Sequence, residues 1–113
     1  MKGIGVDIVE FSRIKAIKNR AKFVDKILNE KEFAVYVTLT NKQRQLEYLA
    51  GRFAVKEAIY KAAPHLCMGR NFKDFAILNS ETGAPYLASP TIDGMLITLS
   101  HSENYAVAFV VIS

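Results

Sequence analysis

The chain has no tryptophan and a single cysteine, Cys67. One thiol excludes an internal disulfide and any zinc site built on cysteines, and Cys67 is expected to be a buried or incidental thiol. Only three prolines are present, and nothing resembles a linker, a repeat or a low-complexity tract. No apolar run approaches the roughly 20 residues of a membrane span. The opening stretch MKGIGVDIVE has one lysine and then a short apolar run broken by Asp7. That is not the pattern of a signal peptide, so the expected location is the cytoplasm, with no membrane partner.

What is present describes a small globular protein. A chain of 113 residues is one domain, 1–113, large enough for a modest core. Half of it is hydrophobic and 23% is charged, which argues against disorder. The net charge is +4 and the pI about 9.3, so an acidic partner is expected. The positive charge lies early: Lys2, Arg13, Lys15, Lys18, Arg20, Lys22 and Lys26 all precede residue 30. Basic and aromatic residues are not interleaved there as they are in a base-stacking platform, which argues against nucleic acid.

The pattern of residues predicts the elements. GIGVDIV (3–9) reads as a strand, with Ile4, Val6 and Ile8 on one face and Gly5, Asp7 and Val9 on the other. Ser12 is expected to cap a basic helix over 13–19, followed by helical pieces at 22–28 and 29–39. A long helix runs from about Asn41 to Ala62, capped by Thr40 or Asn41 and ended by Pro64. FAIL (75–78), MLITLS (95–100) and YAVAFVVI (105–112) read as strands, with a turn at SETGAP (80–85) and a hairpin at HSEN. The expected fold is α+β: a mostly antiparallel sheet packed on one long helix plus shorter helices.

Two carboxylates stand in apolar settings. On a 100° wheel Leu46, Leu49, Ala50, Phe53 and Tyr60 form a stripe, with Gln45, Tyr48, Arg52 and Ile59 beside or behind it. Glu57 falls near its centre and Lys61 at its edge. A buried carboxylate needs a partner. The plain partner for Glu57 is Lys61, an i, i+4 helix pair worth about 0.2–0.5 kcal/mol. The alternative is a cation shared with a second carboxylate, and Asp7, inside an apolar strand, supplies one. Magnesium suits such a pair, since it takes one or two carboxylates and completes its shell with water and phosphate oxygens. Lys61, Arg44 and Arg52 would then hold phosphates, and His101 would donate to one or move a proton. GIG itself is no dinucleotide fingerprint, because it lacks the third glycine and the helix start.

Three segments in order, GIGVDIVEFSRI (3–14), LAGRFAVKEAIYKA (49–62) and LSHSENYAVAFVV (99–111), together with TGAPYL (82–87), resemble the holo-acyl-carrier-protein synthases, the small class of 4′-phosphopantetheinyl transferases. The resemblance spans nearly the whole chain. It implies the 4′-phosphopantetheinyl transferase fold and a magnesium-dependent transfer of phosphopantetheine from coenzyme A to a serine of apo acyl carrier protein, serving fatty acid biosynthesis. It implies that Asp7 and Glu57 are metal ligands and that Lys61 contacts the phosphates, the three forming the catalytic set. Arg44, Arg52, Gly83, Pro85, Ser100 and His101 fall where the family binds the nucleotide. A homotrimer with interfacial active sites is implied as well.

The early basic segment then gains a use: Arg13, Arg20, Lys22 and Lys26, with Ile17 and Phe23 as apolar anchors, are expected to dock the acidic carrier. The chain also departs from the family. APHLCMGRN (63–71) replaces a glycine-containing loop, GAP replaces GKP at 83–85, and a basic pair before the long helix is reduced to QR (43–44). Lys42 or Arg70 are substitutes for lost coenzyme A contacts. Two rival readings are another magnesium-dependent phosphoryl enzyme, such as a small pyrophosphatase, and a basic binding module without catalysis.

Overall fold

A computed structural model of the chain describes residues 2–113. The chain runs β1 (Gly3–Glu10), α1 (Phe11–Lys15), α2 (Arg20–Ile27), α3 (Glu30–Tyr36), α4 (Lys42–Ala62), β2 (Ala76–Asn79), β3 (Pro85–Ser89), β4 (Met95–His101) and β5 (Tyr105–Ile112). Short 3₁₀ turns at Pro64–Leu66 and Phe72–Asp74 link α4 to β2. The strands form a three-stranded sheet in the order β1-β5-β4 and a two-stranded sheet of β2 and β3, with every pair antiparallel.

Local chemistry sets the boundaries. Asn41 caps α4, its side chain accepting from the backbone N–H of Gln43 and Arg44 at 2.8 and 3.1 Å. Asn29 and Glu32 form a reciprocal capping box at the start of α3. Asn19 caps α2, which therefore starts at Arg20, two residues before the expected boundary. The expected helix over 13–19 is a single turn over 11–15, and Ser12 does not cap it. The strand leads straight into that turn from Glu10, so Ser12 already lies inside it. The strand β3 was not anticipated, because Pro85 and the short PYLAS run read only as the end of a turn.

Helix α4 is not amphipathic. Its residues from Leu49 to Lys56 are buried without a break, so every side of the helix is covered. Ile59, expected beside or behind the stripe, is fully buried, and Arg52 nearly so. The sheet covers one side of α4, while α2, α3 and β2 cover others. Glu57 is half-buried at the edge of this packing rather than at its centre.

The glycines of β1 let the sheet touch the helix. A Cβ built at Gly5 would lie 2.1 Å from the carbonyl oxygen of Ala58, and one at Gly3 would lie 2.1 Å from that of Ala62. Any side chain there would push β1 off α4. Gly5 and Val9 face α4, and Asp7 shares their face, whereas Ile4, Val6 and Ile8 face outward and are about half exposed.

Candidate active site

Asp7 sits in the middle of β1, paired across the sheet with Ala108 and through it with Leu99. Lys61, on the last turn of α4, reaches over to it. The Lys61 ammonium donates to Asp7 Oδ1 and to the Val6 carbonyl, both at 3.0 Å. The local pair expected between Glu57 and Lys61 is therefore not the one formed. Among the described residues Glu57 carries no ion pair or side-chain hydrogen bond. It stands one turn before Lys61 on the same side of the helix, with Cβ atoms about 5–6 Å apart. Strand and helix thus bring Lys61 onto Asp7, with Glu57 one turn earlier on the same side of α4.

Glu57 opens into a cleft of about 500 Å³ between α2, α4 and the segment before β2. Phe23, Phe53, Tyr60 and Phe72 line it, with T-shaped ring contacts at 5.1–5.8 Å. Lys26 on α2 and Arg70 on the opposite wall add positive charge. The Arg13 guanidinium lies 5.5 Å from the centre of the Phe53 ring. Phe23 and Lys26 therefore line the cleft with Glu57, Arg13 lies over the Phe53 ring of its wall, and Ile17 packs against the core. Lys22 is exposed. Arg20 faces the other side of α2, where it lines a separate groove with Val24, Leu28, Phe33 and Val37. A basic face expected to be continuous is split by the helix itself.

A second cleft, of about 240 Å³, gathers most of the residues expected at the nucleotide. Arg44, Arg52, Gly83, Pro85 and His101 line it together. Gly83 has φ +88° in the turn before β3, a conformation glycine adopts without strain. Ser100 is not brought with them: strand alternation turns it to the outer face of the sheet, opposite His101.

Three further polar residues in this cleft, Glu47, Tyr48 and Asn79, had no sequence signal for a site. The Glu47 carboxylate lies 3.4 Å from Arg44 Nη1 and 3.9 Å from His101 Nε2, and so stands between the two side chains. Arg52 is nearly all buried, donating to the Ile77 carbonyl at 3.1 Å and to Asn79 Oδ1 at 3.0 Å. Its guanidinium lies 4.2 Å from the centre of the Tyr48 ring. Burial raises the Tyr48 phenol above its ordinary pKa of 10.0 even with the Arg52 cation beside it.

The two clefts share no lining residue. From Arg44 to Glu57 is about 20 Å along α4 at 1.5 Å per residue. Arg52, which lines the same cleft as Arg44, precedes Glu57 by only five residues, about 7.5 Å along the helix but about 140° round it.

The pair that fixes the helix was also missed. Lys56, beside Glu57, is fully buried and donates to Glu32 Oε1 at 2.5 Å and to the Ile27 carbonyl at 2.6 Å. Glu32 Oε2 accepts from the Ile77 N–H at 2.9 Å. Burial pulls the Lys56 pKa below its ordinary 10.5, with Glu32 opposing the shift. This knot ties the end of α2 and the start of α3 to α4 and β2.

The donor set fits a magnesium ion. Among the described residues no group of three or more His, Cys, Asp or Glu side chains converges. Asp7 and Glu57 are two carboxylates, the number magnesium takes when phosphates and water complete its octahedron.

Comparison with known proteins gives concordant results. The sequence pattern of the 4′-phosphopantetheinyl transferase superfamily matches residues 3–110. A holo-[acyl-carrier-protein] synthase of Acholeplasma laidlawii is 49% identical over 111 residues, covering 96% of this chain and 93% of that protein. The crystal structure of a holo-(acyl-carrier-protein) synthase from Bacillus anthracis, in complex with CoA (3′,5′-ADP), aligns with a TM-score of 0.77 at 38% identity, covering 96% of this chain and 93% of its own. That of the Helicobacter pylori synthase in complex with coenzyme A aligns with a TM-score of 0.79 at 30% identity, covering 97% of this chain and 99% of its own.

Proposed function

The chain belongs to the 4′-phosphopantetheinyl transferase superfamily, and from that premise we propose that it moves 4′-phosphopantetheine from coenzyme A to a serine of apo acyl carrier protein, leaving adenosine 3′,5′-bisphosphate. The observation that carries this reading is the Lys61–Asp7 contact where α4 crosses β1, with Glu57 one turn before Lys61 on the helix. A binding module gains nothing from setting two carboxylates and a lysine at one crossing.

The chemistry follows from the charges. The serine oxygen bonds to the phosphorus that bears the pantetheine, and the bond from that phosphorus to the bridging oxygen breaks. Negative charge grows on the non-bridging and leaving oxygens. Lys61 is placed to neutralise part of it. Asp7 and Glu57 would hold magnesium, which supplies further charge neutralisation at the pyrophosphate. Glu57, with no competing ion pair among the described residues, is free for a cation or for the serine proton. The carrier approaches over Arg13, Phe23 and Lys26 beside Glu57.

The active site in this reading is completed by a second copy. The outer face of the β1-β5-β4 sheet exposes Ile4, Val6, Ile8, Leu96, Val107 and Phe109. A contiguous apolar face of that extent marks an interface. A trimer packed on it would set the nucleotide cleft of one copy against Asp7 and Glu57 of the next. It would also bring Ser100, on that same face, toward the boundary. Among the described residues no helix is long and apolar enough to cross a membrane. A cytoplasmic location goes with this reading, since its substrates are metabolic.

The test is the intact mass of an apo acyl carrier protein after incubation with the chain, coenzyme A and magnesium. The expected gain is one phosphopantetheine, abolished by chelator and by Asp7→Ala or Glu57→Ala with the fold intact. Full activity in either variant would remove the metal assignment. Release of inorganic phosphate from pyrophosphate, with no gain in carrier mass, would favour the rival phosphoryl enzyme.

A further inference from the structure

Lys61 holds Asp7 in a way that fits a temporary partner. The Asp7 side chain is only 15% exposed, and a carboxylate so placed needs a positive neighbour. Lys61 supplies one, yet its own side chain is 54% exposed and hangs on a flexible four-carbon stem. Its other acceptor is a single backbone carbonyl, that of Val6. Among the described residues nothing else anchors it, in contrast to Lys56, which is sealed inside the fold.

A metal ion and this ammonium compete for the same carboxylate. Among the described residues no three ligating side chains converge, so the protein does not offer a cation a closed set of ligands. A cation arriving alone would have to displace Lys61 from Asp7 and leave two positive charges side by side. A cation arriving with a pyrophosphate would bring the displaced ammonium a new anion.

We propose that Lys61 is an exchangeable counter-cation: it neutralises Asp7 while no metal is bound and transfers to a phosphate oxygen when metal and coenzyme A enter together. The exchange rests on the function proposed above and adds to it a coupling between the two ligands. By linkage the coupling is reciprocal: the metal strengthens coenzyme A binding by the same factor as coenzyme A strengthens metal binding. Removing the ammonium therefore helps the metal when it is alone and weakens the coupling when it is not.

The experiment measures Mn²⁺ binding by electron paramagnetic resonance, as a stand-in for magnesium, on the full chain and on Lys61→Met. Coenzyme A is absent or saturating, and Asp7→Asn is the control for the site. Lys61→Met is expected to bind Mn²⁺ alone more tightly than the unaltered chain, by up to about fivefold, the ceiling for an exposed pair. It is also expected to show a smaller gain on adding coenzyme A. Circular dichroism checks that each variant is folded. Equal or weaker Mn²⁺ binding by folded Lys61→Met overturns the exchange, as does the absence of any Asp7-dependent Mn²⁺ site. Failure of the functional reading has a different signature: the unaltered chain binds no coenzyme A, while the metal-only comparison stays readable.

Discussion

Lys56 and Lys61 stand on the same helix, and each meets a carboxylate from a distant segment. The Lys56–Glu32 pair has no exposed surface at all, and its members also bond to backbone groups of Ile27, Asn29 and Ile77. The Lys61–Asp7 pair opens to solvent on its lysine side. The residue types are the same, and the burial decides what each pair does. Inside the fold, neither partner can leave without stranding a charge in a low-dielectric setting. On the open side of the other pair, water and incoming ions can replace the lysine, so the pair is available for chemistry.

The largest effect comes from breaking the buried pair. Glu32→Ala should cost about 3–5 kcal/mol in urea unfolding, because Lys56 and the Ile77 N–H both lose their acceptor. Replacing both partners by apolar residues, Lys56→Met with Glu32→Leu, should recover much of that loss. Lys61→Met, by contrast, should change stability by less than about 1 kcal/mol while removing transfer. Equal destabilisation by Glu32→Ala and Lys61→Met would erase the distinction between the two pairs.

A smaller effect is expected where charges are fully solvated. Reversing Arg13 and Lys26 to Glu should raise KM for the carrier protein several-fold at low salt and leave coenzyme A binding unchanged. Arg20→Glu, on the opposite groove, should raise it less. Steady-state kinetics at two salt concentrations separates these, and an equal effect of Arg20→Glu would restore a continuous docking face.

The smallest effect tests burial acting on a group with no ion-pair partner. Burial pushes the Cys67 thiol above its ordinary 9.0, so its thiolate is scarcer in the folded chain than in the unfolded one. Iodoacetamide at pH 8 should label Cys67 slowly in buffer and quickly in urea, read by mass. Equal rates would show that the site is open.

Much of this was legible in the sequence. The strands β1, β4 and β5 follow from alternation, and α4 follows from Asn41 and Pro64 at its ends. Asp7 and Glu57 stand out in the sequence because a carboxylate in an apolar setting conflicts with local expectation, although the structure sets Glu57 at the edge of the packing and not at its centre. Glu32 carried no such signal, because a glutamate at the third position of a capping box looks like any exposed cap residue. Lys56 sits between Val55 and Glu57 and reads as an ordinary surface lysine. Glu47, between Arg44 and His101, likewise looks like a helix-surface residue.

The sequence by itself determined which groups are chemically out of place, where the chain turns and which strands alternate. These depend on neighbours within a few residues, and local spacing records them. Only the tertiary structure decided the partners. Lys61 faces Asp7 rather than Glu57 because glycines at positions 3 and 5 let β1 lie against the backbone of α4. Lys56 is buried because α2, α3 and β2 close over a side of α4 that no local pattern marks as inside. An ion pair between distant segments depends on how far two backbones approach, and that distance exists only once the whole chain has packed.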